Sequence, residues 1–112
     1  MSLVGYKQKT VQVDDRAFLV QVVPFDNGNF ISLTEGKEKI GAMVVSIGSS
    51  GPNASTVTII PSKSDSLFLK MVSERVASAT NGICIVSINV QKELGLEAMK
   101  VIMHEIMETV KQ

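Results

Sequence analysis

The 112 residues carry 11 basic and 11 acidic side chains, so the formal net charge is zero, with no basic block. That excludes the clustered Lys/Arg of a nucleic-acid surface or a polybasic membrane patch, and no apolar run reaches the roughly 18 residues of a spanning helix. The apolar share of 45% is high for so small a chain, which implies that some apolar surface meets a partner or a second copy.

A chain of this length reads as one α+β domain over residues 1–112, able to bury a core without metal or disulfide staples. Residues 1–5 are set aside as disordered or cloning-derived, since Met1-Ser2-Leu3 has the form of a cloning scar. No signal peptide is read at the N-terminus. The single cysteine, Cys84, cannot form an internal disulfide and lies in an apolar run, which fits a reducing, cytoplasmic compartment.

In chain order, Lys7-Gln8-Lys9-Thr10-Val11-Gln12-Val13 is a polar, β-prone first strand whose lysines suit an edge. Asp14-Asp15-Arg16 turns into a second strand, Ala17–Val23, with Pro24 near its end, where a missing N–H does least harm. Asp26-Asn27-Gly28-Asn29 is the clearest hairpin signal. There Asn-Gly supplies the positive φ angles of a tight turn, between Phe25 and Phe30. Phe30–Thr34 returns as the third strand, and Glu35–Lys39 is a charged loop. Ile40–Ile47 is the fourth strand, Gly48-Ser49-Ser50-Gly51-Pro52-Asn53 a loose loop, and Ser55–Ile60 the fifth strand, stopped by Pro61. Alternation in that strand sets Val57 and Ile59 on one face and Thr56 and Thr58 on the other.

The spacing predicts a helix over about Ser64–Ala79, with Ser62 and Asp65 resembling a capping box. Phe68, Met71, Val72, Val76 and Ala79 form its apolar face, and Lys70, Ser73, Glu74 and Ser78 the other. Asn81-Gly82 ends it as glycine commonly does. Ile83–Val90 is a sixth strand with Cys84, Val86, Ile88 and Val90 on a fully apolar face, so it reads as central. A second helix over Leu94–Val110 packs through Leu96, Met99, Ile102, Met103, Ile106 and Val110, leaving Glu97, Lys100, His104, Glu105, Glu108 and Lys111 wet. The layout is an α+β fold. An antiparallel β-sheet of about six strands, ordered as five-stranded meander, helix, strand, helix, has two helices packed against it.

No constellation in this layout supports catalysis. His104, the only histidine, falls on a solvated helix face without an orienting partner. Cys84 has no cationic neighbour in sequence to lower its pKa. One histidine and one cysteine twenty residues apart make no zinc spacing. Gly48-Ser49-Ser50-Gly51 leads into a strand and lacks the Lys-Ser/Thr of a phosphate loop. Asp14, Asp15 and Asp26 occupy turns, where Asp is favoured for backbone reasons. Met99 and Met103 belong to the core face, and Met107, at the margin of the stripe, is the one placed to meet a partner. The reading is a non-enzyme with no catalytic, cofactor-binding or metal residues and no cofactor.

Asn81–Val90, followed by Lys92-Glu93-Leu94-Gly95-Leu96-Glu97-Ala98-Met99-Lys100-Val101-Ile102, resembles the C-terminal part of the third proteasome-assembly chaperone and its fungal and archaeal relatives. That family ends in a turn with Asn or Gly, an apolar strand, a charged turn and a helix opening on a Gly-Leu-x-Ala-like run. The first half is similar in layout, with Ile31-Ser32-Leu33 matching an Ile-Ser-Leu strand. The resemblance spans roughly residues 7–110. It implies a homodimer, or a heterodimer with a similar small chain, that binds proteasome α subunits without a cofactor. Individual binding residues do not carry over. Two other classes compete. A regulatory scaffold dimer of the roadblock or longin type would interrupt the sheet with helices differently, whereas here five strands precede the first helix. A small-ligand binder would need a pocket, which only the loops at Asp26–Asn29 and Gly48–Asn53 are polar and glycine-rich enough to line.

The central placement of the sixth strand has a direct test. Val86→Asp would bury an unpaired charge and abolish folding. Cooperative urea unfolding retained in that variant would show the strand to be mis-assigned.

Overall fold

A computed structural model describes residues 6–48 and 54–111. The readings of residues 1–5 and of the loop at 49–53 fall outside the described residues. The elements are β1 (Lys7–Val13), β2 (Arg16–Phe25), β3 (Gly28–Thr34), β4 (Ala42–Ile47), β5 (Ser55–Ile60), α1 (Ser66–Thr80), β6 (Ile83–Asn89) and α2 (Leu96–Lys111). They build one six-stranded sheet in the order β1-β2-β3-β6-β4-β5.

The expected five-stranded antiparallel meander is therefore corrected in two respects. The meander stops at β3, and β6 inserts between β3 and β4. β6 runs antiparallel to β4 but parallel to β3, with Ile31 opposite Val86 and Leu33 opposite Ile88, so the sheet is mixed. The reason lies in β6 itself. Its run Ile83–Ile88 is apolar on nearly every residue, and neighbours on both sides shield such a run from water better than an edge position would. The β1–β3 meander and the β4–β5 hairpin each leave one edge for it.

Two glycines allow that insertion. A Cβ on Gly28 would sit 2.1 Å from the Ile83 carbonyl oxygen, and one on Gly41 would sit 2.0 Å from that of Ile88. Gly28 is thus required by the close approach of β6 rather than by turn geometry. Phe25 pairs with Gly28, so the turn is Asp26-Asn27, and neither Asn27 nor Gly28 has a positive φ. The first hairpin does use the left-handed region, at Asp14 (φ 55°).

In-register partners point to one side of the sheet. Val20, Val22, Ile31, Leu33, Val86 and Val44 all face the helices and are buried. α1 covers β4 and β6, and α2 covers β1 and β2. α1 is turned from its expected face: Leu69, Ser73 and Ala77 are buried, whereas Met71 and Ala79 are exposed. Ser73 tolerates burial because its hydroxyl meets that of Ser46 at 2.7 Å and donates to the Lys70 carbonyl. The Asp65 N–H donates to Ser62 Oγ at 2.9 Å, one half of the expected capping box, but Asp65 makes no side-chain cap. At the far end Asn81, not Gly82, adopts the left-handed conformation, and the Gly82 N–H closes on the Ala77 carbonyl. In α2, Ala98, Ile102, Ile106 and Thr109 are buried; Leu96 is exposed, and Leu94, just before the helix, takes a core position instead.

One ion pair ties three segments that lie far apart in sequence. Arg16, at the start of β2, donates through Nε and Nη2 to both oxygens of Glu35 at 2.8 and 2.6 Å. It also donates to the carbonyls of Lys92 and Glu93 ahead of α2. Glu35 further accepts the Gln91 N–H at 2.9 Å, and the Arg16 guanidinium lies 4.9 Å from the Phe18 ring centroid. The two side chains are 12% and 9% exposed. The Arg16 hydrogen bonds, helped by the Gln91 N–H, hold the Glu35 carboxyl below its ordinary value against the opposing effect of burial.

A depressed folded-state pKa stabilises the protein fully above the unfolded value and is lost as pH falls through the folded one. Glu35→Gln is therefore expected to cost roughly 3 kcal/mol near neutrality. In urea titrations the gap to the parent chain should narrow as the pH drops below the ordinary glutamate value of 4.5. A gap constant from neutral to acid pH would rule out this linkage.

Candidate interaction surfaces

The residues that bear reactive groups do not converge. His104 is exposed on α2, Cys84 is fully buried in β6, and Asp14, Asp15 and Asp26 lie exposed in hairpin turns. Burial pushes the Cys84 thiol up to about 12. Among the described residues no group of three or more His, Cys, Asp or Glu side chains is arranged to hold a metal. The Asp26–Asn29 turn does line a cavity of about 420 Å³, but its titratable neighbours are only Lys7 and Asp26, and Lys7 donates to the Thr109 carbonyl. Gly48 packs against the end of α1, where an added Cβ would meet the Ala77 carbonyl oxygen at 2.2 Å; the remainder of that loop lies outside the described residues.

Two apolar surfaces stand out instead. The first is the sheet face opposite the helices. Register aligns Val23 with Phe30, Phe30 with Ile85, Ile85 with Val45 and Val45 with Val57, a continuous apolar row across five strands. The row is open at the β5 end, where Val57 is 62% and the neighbouring Ile47 54% exposed. The adjacent row on the same face, Gln21, Ser32 and Ser87, is polar, and Tyr6 links Gln8 to Gln21 through its hydroxyl at 2.7 and 2.8 Å. The loop before β4 leans over part of this face: the Gly41 N–H donates to Ser87 Oγ, and Ile40 lines a cavity of about 250 Å³ with Val23 and Phe30.

β5 explains why this face is apolar. The two faces of this strand are as alternation sets them, but it is Val57 and Ile59 that are exposed, and the threonines that lie on the α1 side. Thr56 Oγ1 meets Ser46 Oγ at 2.8 Å and donates to Glu74 on α1, while Ser46 continues to Ser73. A hydroxyl chain thus fills the space beneath the helix edge, and the apolar side of β5 is left outward. A shift in register between Met43 and Val44 then sets Ile60, rather than Ile59, opposite Met43.

The second surface is a groove of about 620 Å³ between the helices. α1 contributes Leu67 and Met71, and α2 contributes Leu96, Met99, Met103 and Met107. Leu67, Met71 and Leu96 are 69%, 49% and 76% exposed. Met99, Met103 and Met107 recur every fourth residue, so they form one stripe along α2. Met107 thus sits where the sequence placed it, at the stripe's margin, but Met99 and Met103 share the groove and are only partly buried.

No family model matches the chain, and no curated protein matches it. Among solved structures it is similar to a protein in the crystal structure of a novel chaperone complex for yeast 20S proteasome assembly. The TM-score is 0.61 at 12% sequence identity, and the match covers 95% of this chain and 88% of that one. The likeness is one of fold.

The thiol assignment is open to measurement. At about pH 8, Cys84 in the folded protein should resist a disulfide-exchange reagent and react at once in denaturing urea. Rapid labelling of the native chain would place the sulfur at the surface.

Proposed function

We propose that this chain is a non-catalytic assembly chaperone of the cytoplasm that acts as a dimer, homomeric or with a similar small chain. On this reading it binds α-type proteasome subunits and assists construction of the 20S core particle, without a cofactor. The observation that carries the reading is the apolar row across the sheet, without a helix over it and open at its β5 end, on a fold shared with a protein of a proteasome-assembly chaperone complex. An aliphatic surface with no convergent polar groups suits a flat protein partner better than a small substrate. The dimer belongs on that row, because covering it removes Val57 and Ile47 from water together with the half-buried Val45 and Ile85. A scaffold of the roadblock or longin type fits less well, because five strands precede α1.

Sedimentation and an affinity pull-down test the two parts of this proposal. The chain should sediment as a dimer alone or with a co-purifying small chain, and Val57→Glu, at an exposed position, should weaken that association by about tenfold or more. Mass spectrometry of captured prey should recover proteasome α subunits. A monomer indifferent to Val57→Glu would remove the dimer, and prey lacking proteasome subunits would reduce the likeness to shared fold.

A further inference from the structure

We propose that the groove between α1 and α2 is a docking site for an amphipathic helix that carries acidic residues beside its apolar stripe. This goes beyond the chaperone reading and stands without it, since the groove lies on the opposite side of the sheet from the apolar row. The floor is apolar, with Phe68 beneath leucines and methionines, and methionines adapt their shape to an incoming apolar side chain at little cost. From Leu96 to Met107 the α2 stripe is roughly 16 Å long at 1.5 Å per residue. That accommodates a helix presenting anchors at i, i+4 and i+7.

The rim supplies the sign of the partner. Arg75 on α1 and Lys100 on α2 border the groove, and neither has a carboxylate in ion-pair range among the described residues. Lys111 closes one end, 3.6 Å from Glu108, the rim's lone acid. The rim is thus cationic although the whole chain is neutral. A second copy offering the same groove would set Arg75 and Lys100 against like charges, so the occupant is not this surface of another copy. An acidic helix meets both demands, seating its apolar side on the methionines and its carboxylates on Arg75 and Lys100.

The test uses the full chain and fluorescein-labelled synthetic helices of about 14 residues, ~21 Å long. One carries leucines at i, i+4 and i+7 flanked by glutamates, and a second has lysines in place of those glutamates. Anisotropy should show the acidic peptide binding at least about tenfold more tightly than the basic one. The double variant Arg75→Glu, Lys100→Glu should reverse that order, and Met71→Asp, at an exposed position, should abolish binding of both peptides. Circular dichroism confirms that each variant remains folded. Equal affinity for both peptides, binding of neither, or an order unchanged by the charge reversal would overturn the proposal. So would stronger binding to phosphatidylcholine–phosphatidylserine vesicles, lost in the double variant, because the rim would then be a lipid-facing surface.

Discussion

The structure depends on a mismatch between sheet and helices. Six strands at about 4.8 Å spacing span roughly 24 Å, and two helices of about 10 Å diameter cover roughly 20 Å of that width. Both helices lie on one side, and among the described residues the other side has only the short loop before β4 to shield it. A soluble sheet in this position is normally polar on its open face. Here that face keeps Val23, Phe30, Ile85, Val45 and Val57 in one row. The apolar excess noted in the composition is thus concentrated on two surfaces, the row and the interhelical groove, rather than scattered.

Local signals were legible where the deciding contacts are local. All eight elements follow from alternation, helical spacing and turn residues, with ends displaced by a residue or two. What the sequence could not yield was set by partners distant in the chain. The Asn27-Gly28 pair has the look of a positive-φ turn, but Gly28 answers to the Ile83 carbonyl, more than fifty residues on. The Val57/Thr56 alternation carries no label for inside or outside. Only the hydroxyls of Ser46 and Ser73, with Glu74, decide that the threonines turn inward. Leu69 rather than Met71 takes the buried face of α1, together with Ser73, whose burial depends on a hydroxyl partner on β4 that the helix sequence does not contain.

The Arg16–Glu35 pair was missed for a related reason. Both residues lie among charged neighbours that suit a solvated turn or loop, and their meeting depends on β2–β3 pairing together with the segment entering α2. Buried pairs of this kind add little over a hydrophobic substitute, but they are intolerant of losing one partner. Their value here is positional: Arg16 fixes the segment before α2 and thereby the direction from which that helix crosses β1 and β2. The interaction surfaces were partly legible. Met107 was identified at the margin of its stripe, but the groove required Leu67 and Met71 from α1 at the same place, and the open sheet row required the strand order.

The placement of β6 bears on how the molecule comes into being. Both hydrogen-bonding neighbours of β6 precede it in the chain, and they do not pair with each other. Until residues 83–89 emerge during synthesis, the meander and the β4–β5 hairpin have no strand to join them, and each lacks its neighbour on one edge. The sheet then closes through contacts of long sequence separation, the kind that slows folding. The nascent chain passes through an interval in which two strand edges and an apolar face are exposed together, a state prone to association. A late central strand makes completion of the last third of the chain the event that commits the whole sheet.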